Sequence, residues 1–399
     1  MKIFHTATDE EIKTGKTTDV YFIRTKEILA AKGLSGVKVV AEVTSGDLPA
    51  GWPWAILCGV EEVASLFEGC PVNVYSPPEG SVIFPNDHYG VRVPHLVVEG
   101  SYGAFCNLET PMLGLLCQAT GAATMAARIR KIVSDKLLIS FGIRRIHPSL
   151  SPMIDRAAYI GGFDGVSSLA GAEIIGKTPT GTMPHSLIII FGDQVEAWKA
   201  FDEVIDSDVS RIALVDTYYD EKTEAVMAAD ALGSRLSGVR LDTHKTRKGN
   251  FADIIREVRW ELDVRGYKYV NIIASGGIDD KNIKPLCDAG ADGFGVGTSI
   301  SGAPIVDFAF DIVEKEGRPA AKRGKLGGRK DVWRCPTCLR DIVSVSGGQQ
   351  PRCPVCLSET QPLLKPLIKD GEIVVELPKP EEIRRLVLEQ LQRLPSLNL

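Results

Sequence analysis

The stretch YVNIIASGGIDDKNIKPLCDAGADGFGVGTSI, residues 269–300, carries the pattern on which the fold turns. Two short apolar runs, YVNIIA and DGFGV, each stop at a glycine-rich turn, SGG at 275–277 and GT at 297–298, with helix-length sequence between them. Working back toward the N-terminus, the same unit recurs from Lys136 onward as KLLISFGIRR, GGFDGVSSL, RIALVDTYY and GVRLDT. Segments such as PSLSPMIDRAAYIG and NFADIIREVRWELDVRGY are long enough to return the chain as helices. Parallel strands joined by helices make either a doubly wound sheet or a (βα) barrel. Polar residues at the C-terminal end of nearly every run, and terminal glycine turns suited to phosphate, favour the barrel.

Composition sets the frame around this core. The chain has 399 residues, 44% hydrophobic and 24% charged, which is ordinary for globular proteins and more than one core usually supports. A net charge of −5 gives no general attraction to nucleic acid or anionic membrane, so any anion site must be local. The N-terminus lacks an apolar signal core, and the longest aliphatic run, SLIIIF, is far too short to span a bilayer. A cytoplasmic protein is expected. Ahead of the barrel, KVVAEVTS, GCPVNVYS and PHLVVEGSYG read as strands, followed by a long buried helix from NLETPMLG to RIRKIVS. Past Asp307 a basic, glycine-rich connector leads to the cysteine turns. A hairpin at KDGE and an amphipathic helix presenting Ile383, Val387, Leu391 and Leu394 on one face close the chain.

Nine cysteines fall into two groups. Cys58, Cys70, Cys106, Cys117 and Cys287 sit in apolar settings and read as small buried hydrophobes. Cys335-x2-Cys338 and Cys353-x2-Cys356 supply four thiolates on two tight turns, the ligand set of a closed structural Zn²⁺ site. The intervening LRDIVSVSGGQQPR has few cations and no aromatics, so a structural or interaction module is expected rather than a nucleic-acid reader.

The strand ends list the candidate chemistry: Arg144, Ser167, Asp216, Arg240 with Asp242, Ser275-Gly276-Gly277 and Gly297-Thr298. Two arginines, two carboxylates and two glycine cradles facing one cavity suit a polyphosphate substrate with Mg²⁺. In order along the chain, DVYF, VEGSYGAFCNLETPML, SFGIRR, GGFDGVSSLAG, GTMPH, VDTYYD, GVRLDT and SGGID resemble the nicotinate phosphoribosyltransferases to about residue 330, most of all the archaeal type with a four-Cys zinc domain. The resemblance implies an α/β protein in three parts. These are an N-terminal α+β sandwich domain over 1–115, an open seven-stranded (βα) barrel over 116–315, and the connector, zinc domain and C-terminal helix over 316–399. It implies that nicotinic acid and phosphoribosyl pyrophosphate yield nicotinate mononucleotide and pyrophosphate, as in NAD biosynthesis.

By the same resemblance, Phe141 stacks on the pyridine and Arg144 holds its carboxylate, while Tyr21 closes the other face from a partner subunit of a homo-oligomer. Asp216, Arg240 and Asp242 hold Mg²⁺ and the ribosyl pyrophosphate. Ser275, Gly276, Gly277, Gly297 and Thr298 bind phosphate, and Lys322, Arg323 and Lys325 clamp pyrophosphate or form a solvated linker. Nicotinamide-using relatives carry Asp where Ser167 stands; an Asp repels a carboxylate, whereas a hydroxyl donates to it. After RLD the chain departs from the family's Ser-Gly-Asp turn with THKTRKGNF, so His244, Lys245, Arg247 and Lys248 either add anion affinity or form a wet loop.

His185 has two readings from periodicity. If SLIIIF is a strand, the histidine lies at the bottom of the barrel, as branched-residue propensity favours. If KTPTGTM is the strand, His185 opens a helix at the mouth. GTMPH resembles the segment whose histidine is transiently phosphorylated by ATP, which implies the mouth and ATP coupling. The competing functions are a decarboxylating quinolinate phosphoribosyltransferase on the same barrel, and a non-catalytic zinc-bearing scaffold.

Overall fold

The computed structural model describes residues 3–246 and 249–397. By its contacts the chain forms two compact units, Met1–Thr124 with Ala303–Pro395, and Met125–Gly302 with Ser396–Leu399. The division falls inside the 25-residue helix Glu109–Val133. Among the described residues no helix is long and apolar enough to cross a membrane.

In the first unit a seven-stranded antiparallel sheet is centred on Lys38–Ser45 and Pro94–Ser101. Lys38–Ser45 is buried at all but its first residue, and its buried Glu42 is paired with Lys330 at 2.9 Å. It pairs with Phe308–Lys315 on one side and Pro94–Ser101 on the other, with Val43 opposite Phe310 and Leu96. That pairing brings the chain after residue 303 back to the N-terminal segment.

The terminal region joins the same unit. Lys365–Lys369 and Glu372–Ile373 form the hairpin expected at KDGE, turning through Asp370 and Gly371 at φ 51° and 87°. The helix Pro380–Arg393 buries Ile383, Val387 and Leu391, with Leu394 buried just beyond. Gln390 is buried among them, and its amide accepts from Val82 N–H and donates to Gly80 O at 2.9 Å each.

The second unit holds the six parallel runs expected from sequence. They are Leu137–Ser140, Gly165–Val166, Ile212–Leu214, Gly238–Leu241, Asn271–Ser275 and Gly293–Val296. Their lateral order, beginning at Ile212–Leu214, follows the chain to Gly293–Val296, then continues with Leu137–Ser140 and Gly165–Val166. A doubly wound sheet reverses direction at a switch point. Here the order is cyclic with a single break, which is the order of an opened barrel.

Among the described residues the barrel has six strands rather than seven. The place of the seventh falls to the extended segment 177–184, which donates Thr180 N–H to Val166 O at 2.8 Å without forming a strand. Pro179, Gly181 and Pro184 break up the ladder there, because proline lacks a donor and glycine packs no side chain. The barrel stays open at that point.

Candidate active site

At the C-terminal ends of five of the six strands, all but Ile212–Leu214, lies a cavity of about 480 Å³. Of the residues expected from sequence, Phe141, Arg144, Ser167, Arg240, Asp242, Ser275, Gly276, Gly277, Gly297 and Thr298 line it. Ile143, Arg145, Gly181, Thr182, Met183, Pro184 and Gly295 complete the wall.

Each position follows from the strand that delivers it. Phe141 extends the parallel pairing one residue past Ser140 by donating its N–H to Val296 O at 2.8 Å. Its ring lies against Gly295, where any Cβ would overlap ring carbons. The Arg240 guanidinium sits 5.7 Å from the Phe141 centroid, within cation–π range. Arg240 also donates to Thr182 Oγ1 at 2.6 Å and to Asp242 at 3.1 Å, while its buried Nε makes no hydrogen bond among the described residues. Asp242 accepts a second bond from Ser275 Oγ at 3.0 Å. Gly276 and Gly277 take φ of 87° and 75°, a left-handed pair that only glycine adopts without strain.

Asp216 stands behind this wall. One oxygen accepts the Asp242 N–H at 2.6 Å and Thr243 Oγ1 at 3.3 Å. The other, Oδ1, is buried without a hydrogen bond among the described residues, 3.7 Å from His185 Nε2. Burial pushes the Asp216 carboxyl up to about 6, against the lowering effect of His185. His185 is the first residue of the helix His185–Phe191, at the mouth. Its Nδ1 meets Thr217 Oγ1 at 3.0 Å, and its Nε2 lies 4.0 Å from Asp242.

Other expected residues lie in the first unit or in loops. Tyr21 is half exposed, with its hydroxyl donating to Asp19 at 3.3 Å. Lys322 and Lys325 pair with Asp311 at 2.5 and 2.8 Å, and Arg323 is exposed. His244 and Lys245 are exposed, whereas Arg247 and Lys248 lie outside the described residues. Of the five scattered cysteines, Cys58 and Cys106 are buried and the other three are half-buried.

Sequence reasoning passed over Thr182, Thr217, Thr243 and Glu221. Thr243 bridges Asp216 and Glu221, and Thr217 orients His185. Thr217 and Thr243 each directly follow an aspartate at a strand end, in VDT and LDT, and that repeated pair is the signal that could have found them.

The four organised cysteines, in the first unit, bring their sulfurs within 4.8 Å of one another, with 3.4 Å between Cys335 and Cys356 and between Cys338 and Cys353. Tetrahedral Zn–S bonds of about 2.3 Å require sulfurs roughly 3.8 Å apart, so the cluster is compatible with zinc.

Comparison with known proteins agrees with this architecture. Residues 19–120 match the family model described as the N-terminal domain of quinolinate phosphoribosyl transferase, and residues 122–311 match its C-terminal domain. A nicotinate phosphoribosyltransferase of Mycobacterium tuberculosis is 32% identical over 337 residues, covering 80% of this chain and 71% of that one. The Bacillus subtilis nicotinate phosphoribosyltransferase is 27% identical over 364 residues, covering 79% and 72%. The crystal structure of nicotinate-nucleotide pyrophosphorylase from Pyrococcus furiosus superposes with a TM-score of 0.94 at 57% identity, covering 98% of this chain and 99% of that one.

Proposed function

Because the chain belongs to the nicotinate and quinolinate phosphoribosyltransferase family, and is therefore an enzyme that transfers phosphoribosyl groups, we propose that its acceptor is nicotinic acid. The products are nicotinate mononucleotide and pyrophosphate, in NAD salvage in the cytoplasm. The observation that carries this reading is the meeting of Phe141, Arg144 and Ser167 with Arg240, Asp242 and the 276–277 glycines around one cavity.

The pyridine ring lies against Phe141, where Gly295 leaves room for the aromatic ring. The Arg144 guanidinium takes the carboxylate in a bidentate pair, and the Ser167 hydroxyl donates to it. The pyridine nitrogen forms its bond to the ribosyl C1 as the C1–O bond breaks, and the electron pair departs with pyrophosphate. Arg240 neutralises the charge that develops on that leaving group. Asp242 receives the ribose hydroxyls, and Ser275, Gly276, Gly277, Gly297 and Thr298 receive phosphate.

The donor set fits Mg²⁺: Asp216 Oδ1, which makes no hydrogen bond among the described residues, would with Asp242 hold the ion, which supplies positive charge to the pyrophosphate. The four cysteines hold a structural Zn²⁺. A second subunit of a homo-oligomer contributes Tyr21 and the basic Lys322, Arg323 and Lys325, the two lysines exchanging Asp311 for pyrophosphate.

ATP enters through His185. With Nδ1 engaged by Thr217, Nε2 is the nucleophile toward the γ-phosphorus, ADP leaves, and water later hydrolyses the phosphohistidine.

One observation favours a second reading. Arg145 lines the cavity beside Arg144, and two guanidiniums suit the two carboxylates of quinolinate. The discriminating assay measures pyrophosphate and CO₂ released with nicotinate, nicotinamide or quinolinate, each with and without ATP. Nicotinate alone should release pyrophosphate, with no CO₂ from any substrate, and His185→Ala should abolish stimulation by ATP. Quinolinate-dependent CO₂ would establish the second reading, and intact ATP stimulation in the variant would remove His185 from the coupling.

A further inference from the structure

We propose that Asp155 is a positioning residue, whose buried carboxylate fastens Ser140 to Ser168 and thereby holds Phe141 and Ser167 at the separation the pyridine ring requires. The inference rests on the nicotinate reading above.

Asp155 lies on the helix Ser151–Ile160 and is fully buried. It takes no part in lining the cavity. Ser140 Oγ donates to one of its oxygens at 2.8 Å, and Ser168 Oγ donates to the other at 2.5 Å. The two serines stand next in sequence to the two residues proposed to grip the substrate ring and its carboxylate. Ser140 ends its strand and precedes Phe141, whereas Ser168 follows Ser167 just past the neighbouring strand. The strands are hydrogen-bonded there, with Ser140 opposite Val166. Successive side chains along an extended segment point to opposite sides. The serine hydroxyls therefore reach back to one carboxylate while their neighbours face the cavity.

Stability alone gives little reason for this arrangement. Burial pushes the Asp155 carboxyl up, and the bonds from Ser168 and Ser140 oppose that effect. Replacing a whole buried polar cluster by apolar residues is often neutral for stability, whereas removing the carboxylate alone leaves two buried hydroxyls without their acceptor. What the carboxylate supplies is geometry: two acceptors on a rigid fork, clamping the ends of two short paired strands. Room for it is reserved by Gly171. A Cβ there would come within 2.6 Å of Asp155 Oδ2 and 2.5 Å of Ser168 Oγ. Ser168 also caps the helix Leu169–Ile175 by accepting from Gly171 N–H at 2.9 Å, so the fork is tied to two helices.

The test compares wild type with Ser140→Ala, Asp155→Asn and Gly171→Ala, using steady-state kinetics in both substrates and thermal melting. Ser140→Ala removes one hydroxyl and serves as the mild variant should the others fold poorly. Displacing a substrate-gripping side chain by a fraction of an ångström predicts KM for nicotinate raised about tenfold, with KM for phosphoribosyl pyrophosphate within about twofold of wild type. Asp155→Asn, which keeps one acceptor, should lie between wild type and Gly171→Ala. The proposal is overturned if KM for nicotinate is unchanged in Ser140→Ala and Asp155→Asn. It is equally overturned if both KM values and the melting temperature move together, as a general loss of structure would make them. A wild-type enzyme that consumes no pyridine acid would overturn the functional reading itself, and this inference with it.

Discussion

Asp216 shows what the site demands of a single residue. It is buried, one oxygen lacks a hydrogen bond among the described residues, and its carboxyl is pushed up to about 6 from a usual 3.8. The sign follows from linkage: the folded state binds the proton more tightly than the unfolded chain does, so stability falls as pH rises from about 3.8 to about 6. Above that window the destabilisation is complete. Asp216→Asn keeps the acceptor for Asp242 N–H and removes the charge. It should raise the melting temperature by several degrees at pH 8, with the gain vanishing near pH 4, while activity is lost. Equal melting curves for the two proteins at pH 8 would mean that the carboxylate is satisfied in a way the geometry does not show. Such a residue is partly legible beforehand. Its type and its place at a strand end can be read from VDTYY, but its burial depends on Thr243 and Asp242 arriving from the next strand.

At the scale of elements, two segments teach opposite lessons. SLIIIF has strand-like composition and is helical, because Pro184 and Gly192 bracket it and only Ile188 of the run is buried. Ile189, Ile190 and Phe191 are exposed, so the packing that rewards β-branched residues in a sheet is missing. No periodicity argument could anticipate which face would lack a partner. The strand Gly293–Val296, in contrast, is explained by its glycines. A Cβ at Gly293 would come within 2.8 Å of Ile273, and one at Gly295 would overlap the Phe141 ring and approach Ser275 Cβ to 3.2 Å. Space at this strand therefore sets where the ring lies. Gly295→Ala should raise KM for nicotinate by roughly tenfold or more, with a smaller change for phosphoribosyl pyrophosphate. Unchanged nicotinate kinetics would mean the Phe141 ring has no part in binding.

For the whole molecule, most of the barrel was legible because parallel strands covered on both faces are short apolar runs bounded by turns. All six runs named from sequence became strands, and their cyclic order settles barrel over doubly wound sheet. The expected seventh strand was not legible as a loss, since its failure lies in a ladder that prolines and glycine interrupt. Nor could local sequence show that residues 303–395 fold with the N-terminal segment, a consequence of pairing Phe308–Lys315 with Lys38–Ser45 across the chain. The central claim is that separate strand ends build one cavity for a pyridine carboxylate and a ribosyl phosphate. A crystal structure with nicotinate mononucleotide bound tests it most directly. The account predicts the pyridine ring on Phe141, its carboxylate on Arg144 and Ser167, and the phosphate at Gly276, Gly277 and Gly297. Density for the nucleotide outside this cavity, or with the carboxylate turned away from Arg144, would contradict it.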